Sequence, residues 1–289
     1  MSNKYIDLST LKYLLYDIHK LEDLLDRERF NDHNKESLDM FLNSTKDFAD
    51  RELFPFIKEM DENPAHHRDG QVFVHKQVET MMKKGGELGF ISASFDYDVG
   101  GMQIPLMAHT AAIYILDAAN NHLPGYAGLT QGAAELIIHF ANKNLIKTFT
   151  PNMLSGKWGG TMCLTEPQAG SSLSDIVTKA NPTGKGYYNI RGQKIFISGG
   201  DNQYAENIVH LLIARVEGAP KGTKGISLFI VPKNRISNDG SLVSNDVNSV
   251  ADFQKMGQKG YCTTHLSFGD KGDCQGWLVG EENKGLSYM

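Results

Sequence analysis

The spacing of apolar residues changes once along this chain, near Trp158, and that change limits the fold more than any other feature. Before it the period is helical. Leu8, Leu11, Leu14, Leu15, Ile18, Leu21, Leu24 and Leu25 recur at three and four and predict one amphipathic helix. Leu38, Phe41, Leu42, Thr45, Phe48 and Ala49 predict a second, interrupted at Pro55. Val74, Val78, Met81, Met82 and Leu88 predict a third that runs out near Gly89. A polar loop, "SASFDYDVGGMQIP", follows, and Pro105 suits the first turn of a fourth helix carrying Leu106, Ala112, Ile113 and Leu116. "LTQGAAELIIHFA" and "NKNLIKTFTPNMLSG" read as two shorter helices. Methionine and phenylalanine on these faces are assigned to a core.

After Trp158 the pattern is that of strands. "YYNIRGQKIFIS", "ENIVHLLIARV", "GISLFIVP" and "YCTTHLSF" are β-branched and aromatic runs, separated by turn segments such as "PTGKG" and "EGAPKGTKG". Helices followed by strands describe an α+β chain of two domains. The expected division is an all-α region over 1–157, with a helical extension over 1–30, and a small β-sandwich or barrel-like domain over 158–280. Residues 281–289, "EENKGLSYM", read as the start of a further helix.

Bulk properties exclude several classes. The net charge of -5 gives no electrostatic reason to bind nucleic acid or an anionic membrane. No apolar run is long enough to span a bilayer and "MSNKYIDLST" lacks a secretory layout, so a cytoplasmic protein is expected. Three cysteines, Cys163, Cys262 and Cys274, with no C-x-x-C, indicate neither a disulfide framework nor a zinc knuckle. His66 and His67 are adjacent rather than spaced as a metal pair and are read as solvated loop residues. No metal site is expected.

Two strand ends carry chemistry. In "TMCLTEPQAGSSLSDI", residues 161–176, an apolar run meets Thr165, Glu166 and the Gly170–Ser171 turn. In "KIFISGG", residues 194–200, a strand ends in Phe196, Ser198 and a glycine pair. Thr165 and Ser171 offer hydroxyls, and amides near Gly170 can approach an anion. Met162 and Leu164 add apolar surface beside that polar edge. Two such ends suit a planar heteroaromatic with a phosphate tail, of which a flavin is an example. Ordinary turn and core roles suit the same residues: Thr165 capping a strand, Ser171, Ser172 and Asp175 closing turns, Phe196 in a β core. Glu166 is read as solvated or bound to backbone amides, not as a base. No G-x-G-x-x-G fingerprint is present.

"CLTEPQAGSS" resembles the acyl-CoA dehydrogenase signature, small-apolar-Thr-Glu-Pro-x-x-Gly-Ser-Asp, and "KIFISGG" resembles that family's second flavin segment. "YAGLTQGA", "DYDVGGMQIP" and "ENIVHLLIARVEGAPKGTKGISLFIVPK" match in order the long bacterial branch that includes methylmercaptopropionyl-CoA dehydrogenase. The resemblance implies FAD as cofactor, with Met162, Leu164 and Thr165 bordering the flavin. It places Gly170 and Ser171 by the phosphates, Ser171 also by the pantetheine of the substrate, Phe196 against the isoalloxazine and Ser198 at its reactive edge. Ser172 stands where the family has Asp, and Phe196 where many members have Trp.

The family desaturates an acyl-CoA thioester between Cα and Cβ. A carboxylate takes the α-proton while the flavin accepts hydride, and electrons pass to an electron-transferring flavoprotein. The implied base is a Glu on a C-terminal helical bundle beyond Met289, so this chain is expected to lack a catalytic residue and to be inactive alone. A full-length homo-oligomer is implied. Two other readings remain at this point: an acyl-CoA oxidase or flavin monooxygenase, and a non-catalytic binding or scaffold protein of the same fold.

Overall fold

The computed structural model describes residues 5–289. Its first half is helical. The elements are α1 (Leu8–Tyr13), α2 (Lys35–Phe48), α3 (Ile57–Glu62), a hairpin of β1 (His66–Arg68) and β2 (Gln71–Phe73), and then α4 (Gln77–Glu87), α5 (Leu106–Asn120), α6 (Pro124–Phe140) and α7 (Lys143–Leu154). The predicted stripe of α2 is its buried face: Leu38, Phe41, Leu42, Thr45, Phe48 and the following Ala49 are all buried. A capping box fixes its start, the Asn34 side chain accepting from the Ser37 amide at 2.9 Å while Ser37 Oγ accepts from the Asn34 amide at 3.0 Å.

Two expectations fail in this half. The Leu8–Leu25 stripe is not one helix. It breaks into α1, a π turn at Leu14–Ile18 and a 3₁₀ turn at Leu21–Leu24, because Lys20 takes a left-handed conformation with φ 52°. Lysine seldom adopts that conformation, so the sequence carried no sign of the break. Nor is His67 a solvated loop residue. It lies half-buried in β1, its Nε2 3.0 Å from the Ser249 carbonyl oxygen and its amide donating to Asp252.

The second half is a curled sheet of β3 (Trp158–Cys163), β4 (Lys179–Pro182), β5 (Tyr188–Ser198), β6 (Asn207–Val216), β7 (Ile226–Pro232), β10 (Val247–Asp252), β11 (Thr263–Phe268) and β12 (Gln275–Val279). A separate short hairpin pairs β8 (Asn234–Ile236) with β9 (Leu242–Ser244). The main order is β10-β11-β5-β12-β7-β6-β3, and β4 pairs with both β5 and β6. The circuit β5-β12-β7-β6-β4 therefore closes on itself, which gives a barrel-like body. A short α8 (Gly285–Tyr288) follows.

β6 explains why "NIVHLLIARV" does not alternate. One face, with Val209, Leu211 and Ile213, joins the core shared with the helices; the other, with Leu212, Ala214 and Val216, joins the barrel interior around Phe229 and Phe268. A strand buried on both faces needs apolar residues at successive positions. β3 lies parallel to β6 and passes under α6. The approach is close at Gly160, where a Cβ would meet Ala133 Cβ at 2.8 Å and the Thr130 Cα at 2.9 Å. The Gly160 amide donates to Thr130 Oγ1 at 2.9 Å. Packing of α6 thus fixes the strand that ends in the first motif.

Candidate functional site

β3 ends at Cys163, and the chain runs through Leu164 and Thr165 into a tight turn. Glu166 and Ala169 exchange backbone hydrogen bonds of 2.8 and 3.0 Å, with Pro167 and Gln168 at the tip. Gly170 returns over Thr165, and the atom nearest to a Cβ added there would be Thr165 Cγ2 at 3.8 Å. A 3₁₀ turn at Leu173–Asp175 leads back toward β4. Ser172 donates to Asp175 at 2.8 Å, a local turn contact of the kind the sequence allowed.

The second segment lies against the first. The Ile195 amide donates to the Thr165 carbonyl at 2.9 Å, and the Lys194 ammonium donates to the Leu164 carbonyl at 2.9 Å. Phe196 is displaced by a β-bulge. Ile197 faces Thr264 and Lys194 faces Leu266, leaving Ile195 and Phe196 opposite His265 alone. Phe196 has φ 59° and is 55% exposed. An aromatic residue in the left-handed region is strained by about 1–3 kcal/mol. The core role for Phe196 is therefore corrected: its ring stands outside, 4.5 Å from the Phe253 ring.

Ser198 pairs with Thr263 on β11 and is half-buried; Met162, Leu164 and Thr165 are half-buried, and Gly170 and Ser171 are exposed. Among the described residues none engages the hydroxyls of Thr165, Ser171 or Ser198 in a hydrogen bond. The arrangement thus joins an exposed aromatic ring, two apolar side chains and hydroxyls with free capacity. Such a surface can hold a flat ring with polar edges.

Glu166 is neither solvated nor placed as a base. It is buried and accepts from the Val177 amide at 2.7 Å, the Thr178 amide at 3.1 Å, Gln168 Nε2 at 2.7 Å and Lys194 Nζ at 2.9 Å. Burial pushes its carboxyl up, but Lys194 and the Thr178 and Val177 donors outweigh that and hold it below the usual carboxylate range. Lys194 was missed by the sequence reading. It lies midway along β5, after Asn189, Arg191 and Gln193, so its sequence context reads as an ordinary polar stretch and gave no signal of burial.

Comparison with known proteins gives the lineage. Residues 35–157 match the model of "Acyl-CoA dehydrogenase, N-terminal domain" and residues 161–271 that of "Acyl-CoA dehydrogenase, middle domain". This chain belongs to the acyl-CoA dehydrogenase family. A butyryl-CoA dehydrogenase of Syntrophomonas wolfei is 41% identical over 194 residues, covering 65% of this chain and 32% of that protein. The 3-methylmercaptopropionyl-CoA dehydrogenase of Ruegeria pomeroyi is 34% identical over 244 residues, covering 84% of this chain and 41% of that one. The match therefore spans about a third of the first of these proteins and about two fifths of the second. Among solved structures, the Megasphaera elsdenii butyryl-CoA dehydrogenase aligns with TM-score 0.69 at 24% identity, over 89% of this chain and 61% of that one. An FAD complex of the Bacillus anthracis enzyme aligns with TM-score 0.68 at 22% identity, over 89% of this chain and 39% of that one. At these identities the structural matches establish the acyl-CoA dehydrogenase fold alone.

No helix among the described residues is long and apolar enough to cross a membrane. No group of three or more His, Cys, Asp or Glu side chains among them is arranged to hold a metal.

Proposed function

We propose that the chain forms the N-terminal and middle domains of an FAD-dependent enzyme that desaturates acyl-CoA thioesters. The observation that carries this reading is the adjacency of the two motif segments, joined at Ile195 and Thr165, with the Phe196 ring turned outward beside them. Both the ring and the free hydroxyls fit a flavin. Met162, Leu164 and Phe196 would meet its apolar faces, Thr165 and Ser198 its polar edge, and Gly170 and Ser171 the phosphates, with Ser171 also near the thioester's pantetheine. When bound, FAD would supply the acceptor for the hydride that leaves Cβ. The protein's part is to hold the ring, to donate toward the thioester oxygen where charge accumulates, and to keep water out.

α-Proton removal needs a carboxylate with a free lone pair near Cα and is worth about 10²–10⁴-fold. Of the two carboxylates in the first motif, Glu166 is fully engaged and Asp175 is tied into its own turn, accepting from Ser172 and Ser174. We assign the base to the part of the longer relatives that residues 1–289 do not match, with an electron-transferring flavoprotein as acceptor and a homo-oligomer as the working form. Residues 1–289 alone are expected to show no turnover of any acyl-CoA with an artificial acceptor; measurable turnover would overturn the assignment of the base. Titration of the purified chain with FAD tests the site itself. Saturable binding with a shifted flavin absorbance is expected, and absence of saturable binding would overturn the flavin reading.

A further inference from the structure

Lys194 and Glu166 form the most buried ion pair of the described residues, with side-chain exposures of 0% and 1%. The ammonium on β5 reaches the Leu164 carbonyl and Glu166 Oε1, both at 2.9 Å. The carboxylate in turn gathers the amides of Val177 and Thr178 and the side chain of Gln168. One pair of charges thus ties β5, the end of β3, the turn and the chain entering β4.

A buried ion pair is a weak source of net stability. Desolvation offsets most of the Coulombic gain, and apolar replacements of similar volume are often neutral or better. Apolar side chains cannot hold a carbonyl in place, and the carbonyl held here belongs to the residue before Thr165. Lys194 itself lies two residues before Phe196. A displacement at the pair would reach both motif segments within two peptide units.

We infer that the Lys194–Glu166 pair is the positioning element of the candidate site, setting the separation between the Met162–Thr165 strand end and the Phe196–Ser198 bulge. What the site holds rests on the flavin reading above; that the pair sets its geometry does not.

The test is a neutral replacement, Lys194→Met with Glu166→Gln, whose single amide oxygen can accept from one of the Val177 and Thr178 amides, which bond to different carboxylate oxygens in the parent. The fold is expected to persist with a modestly lower unfolding midpoint, since the Leu164 carbonyl and one of the two amides lose their partners. Amide exchange at Ile195 should quicken by about 10- to 100-fold, the scale of a lost hydrogen bond to a charged group, while amides of β6 and β7 keep their protection. FAD affinity should fall by at least about tenfold, on the same scale. Unchanged Ile195 protection would overturn the inference. Loss of folding, or loosening of β6 and β7 together with Ile195, would also overturn it by making the pair a general stabiliser. If the parent chain does not bind FAD, the flavin reading fails and the exchange comparison still decides the role of the pair.

Discussion

Tyr126 on α6 and Tyr261 before β11 each donate a phenol proton to a carbonyl beside the other. Tyr126 bonds to Gly260 at 3.1 Å and Tyr261 to Gly125 at 3.0 Å, with ring centroids 4.6 Å apart and planes at 72°. The Tyr126 hydroxyl also accepts from the Cys262 amide at 3.0 Å, and the Cys262 carbonyl accepts from Gly199, at the end of the second motif. The helical half is thereby fastened to the strand end that carries Ser198.

The two tyrosines are not equivalent in cost. Tyr126→Phe leaves a carbonyl and an amide unpaired in a buried place and is expected to cost about 1–3 kcal/mol. Tyr261→Phe loses one bond at a less buried position and should cost about 0.5–1.5 kcal/mol. Urea unfolding of both variants checks the order; a larger loss at Tyr261 would contradict it.

His210 gives the β domain a definite acid limit. It is buried on β6, its Nδ1 2.7 Å from Thr161 Oγ1, and its Nε2 has no partner among the described residues. Burial, and then the charge of Lys233, push its pKa down to about 3. The unfolded chain takes up this proton near pH 6.5 and the folded one does not, so the contribution is intact above that value. It is lost as pH falls from about 6.5 toward 3, at about 1.4 kcal/mol per pH unit. Unfolding free energies of the parent and His210→Gln, measured from pH 7 to 4, should therefore converge on acidification. Parallel curves would remove His210 as the cause.

The sequence revealed what local spacing controls. Leu38 to Phe48 announced α2, and "ENIVHLLIARV" announced a strand, though not that both of its faces are covered. The Asp69–Gly70 turn between β1 and β2 was also written plainly, both residues having positive φ, yet the histidines beside it drew the reading toward a loop. In the site, the two strand ends and their hydroxyls were visible as residue types. Their adjacency was implied only by the family resemblance and not by spacing, because it depends on Lys194 crossing to Leu164 and Glu166 and on a bulge that turns Phe196 outward. The Lys194 contacts join positions 30 and 28 residues apart, the bulge forms against His265 on β11, and no periodicity records either.

Strain at Phe196 separates stability from binding. Glycine takes φ 59° freely, so Phe196→Gly recovers about 1–3 kcal/mol of strain and gives back about 0.5–1 kcal/mol in chain entropy. The variant is expected to unfold at the same or higher denaturant concentration while binding FAD several-fold to about tenfold more weakly, since one aromatic contact is worth about 0.5–1.5 kcal/mol. Phe196→Trp should keep the affinity. A glycine variant that is both less stable and equally good at binding would show that the bulge serves folding rather than the ligand.

Ser172 stands where the family signature has Asp, and its surroundings oppose simple restoration. Its hydroxyl donates to Asp175 at 2.8 Å and lies 3.0 Å from the Ser174 hydroxyl. Ser172→Asp would remove that donor and set two carboxylates together at the turn proposed to meet phosphates. FAD binding by Ser172→Asp is therefore expected to weaken a few-fold, with part of the loss recovered at high salt, as for screened surface charges. Exchanging the pair, Ser172→Asp with Asp175→Ser, restores a donor opposite the carboxylate and should recover most of the affinity. If the single replacement binds FAD more tightly than the parent, the lost donor and the paired carboxylates do not govern binding at this turn.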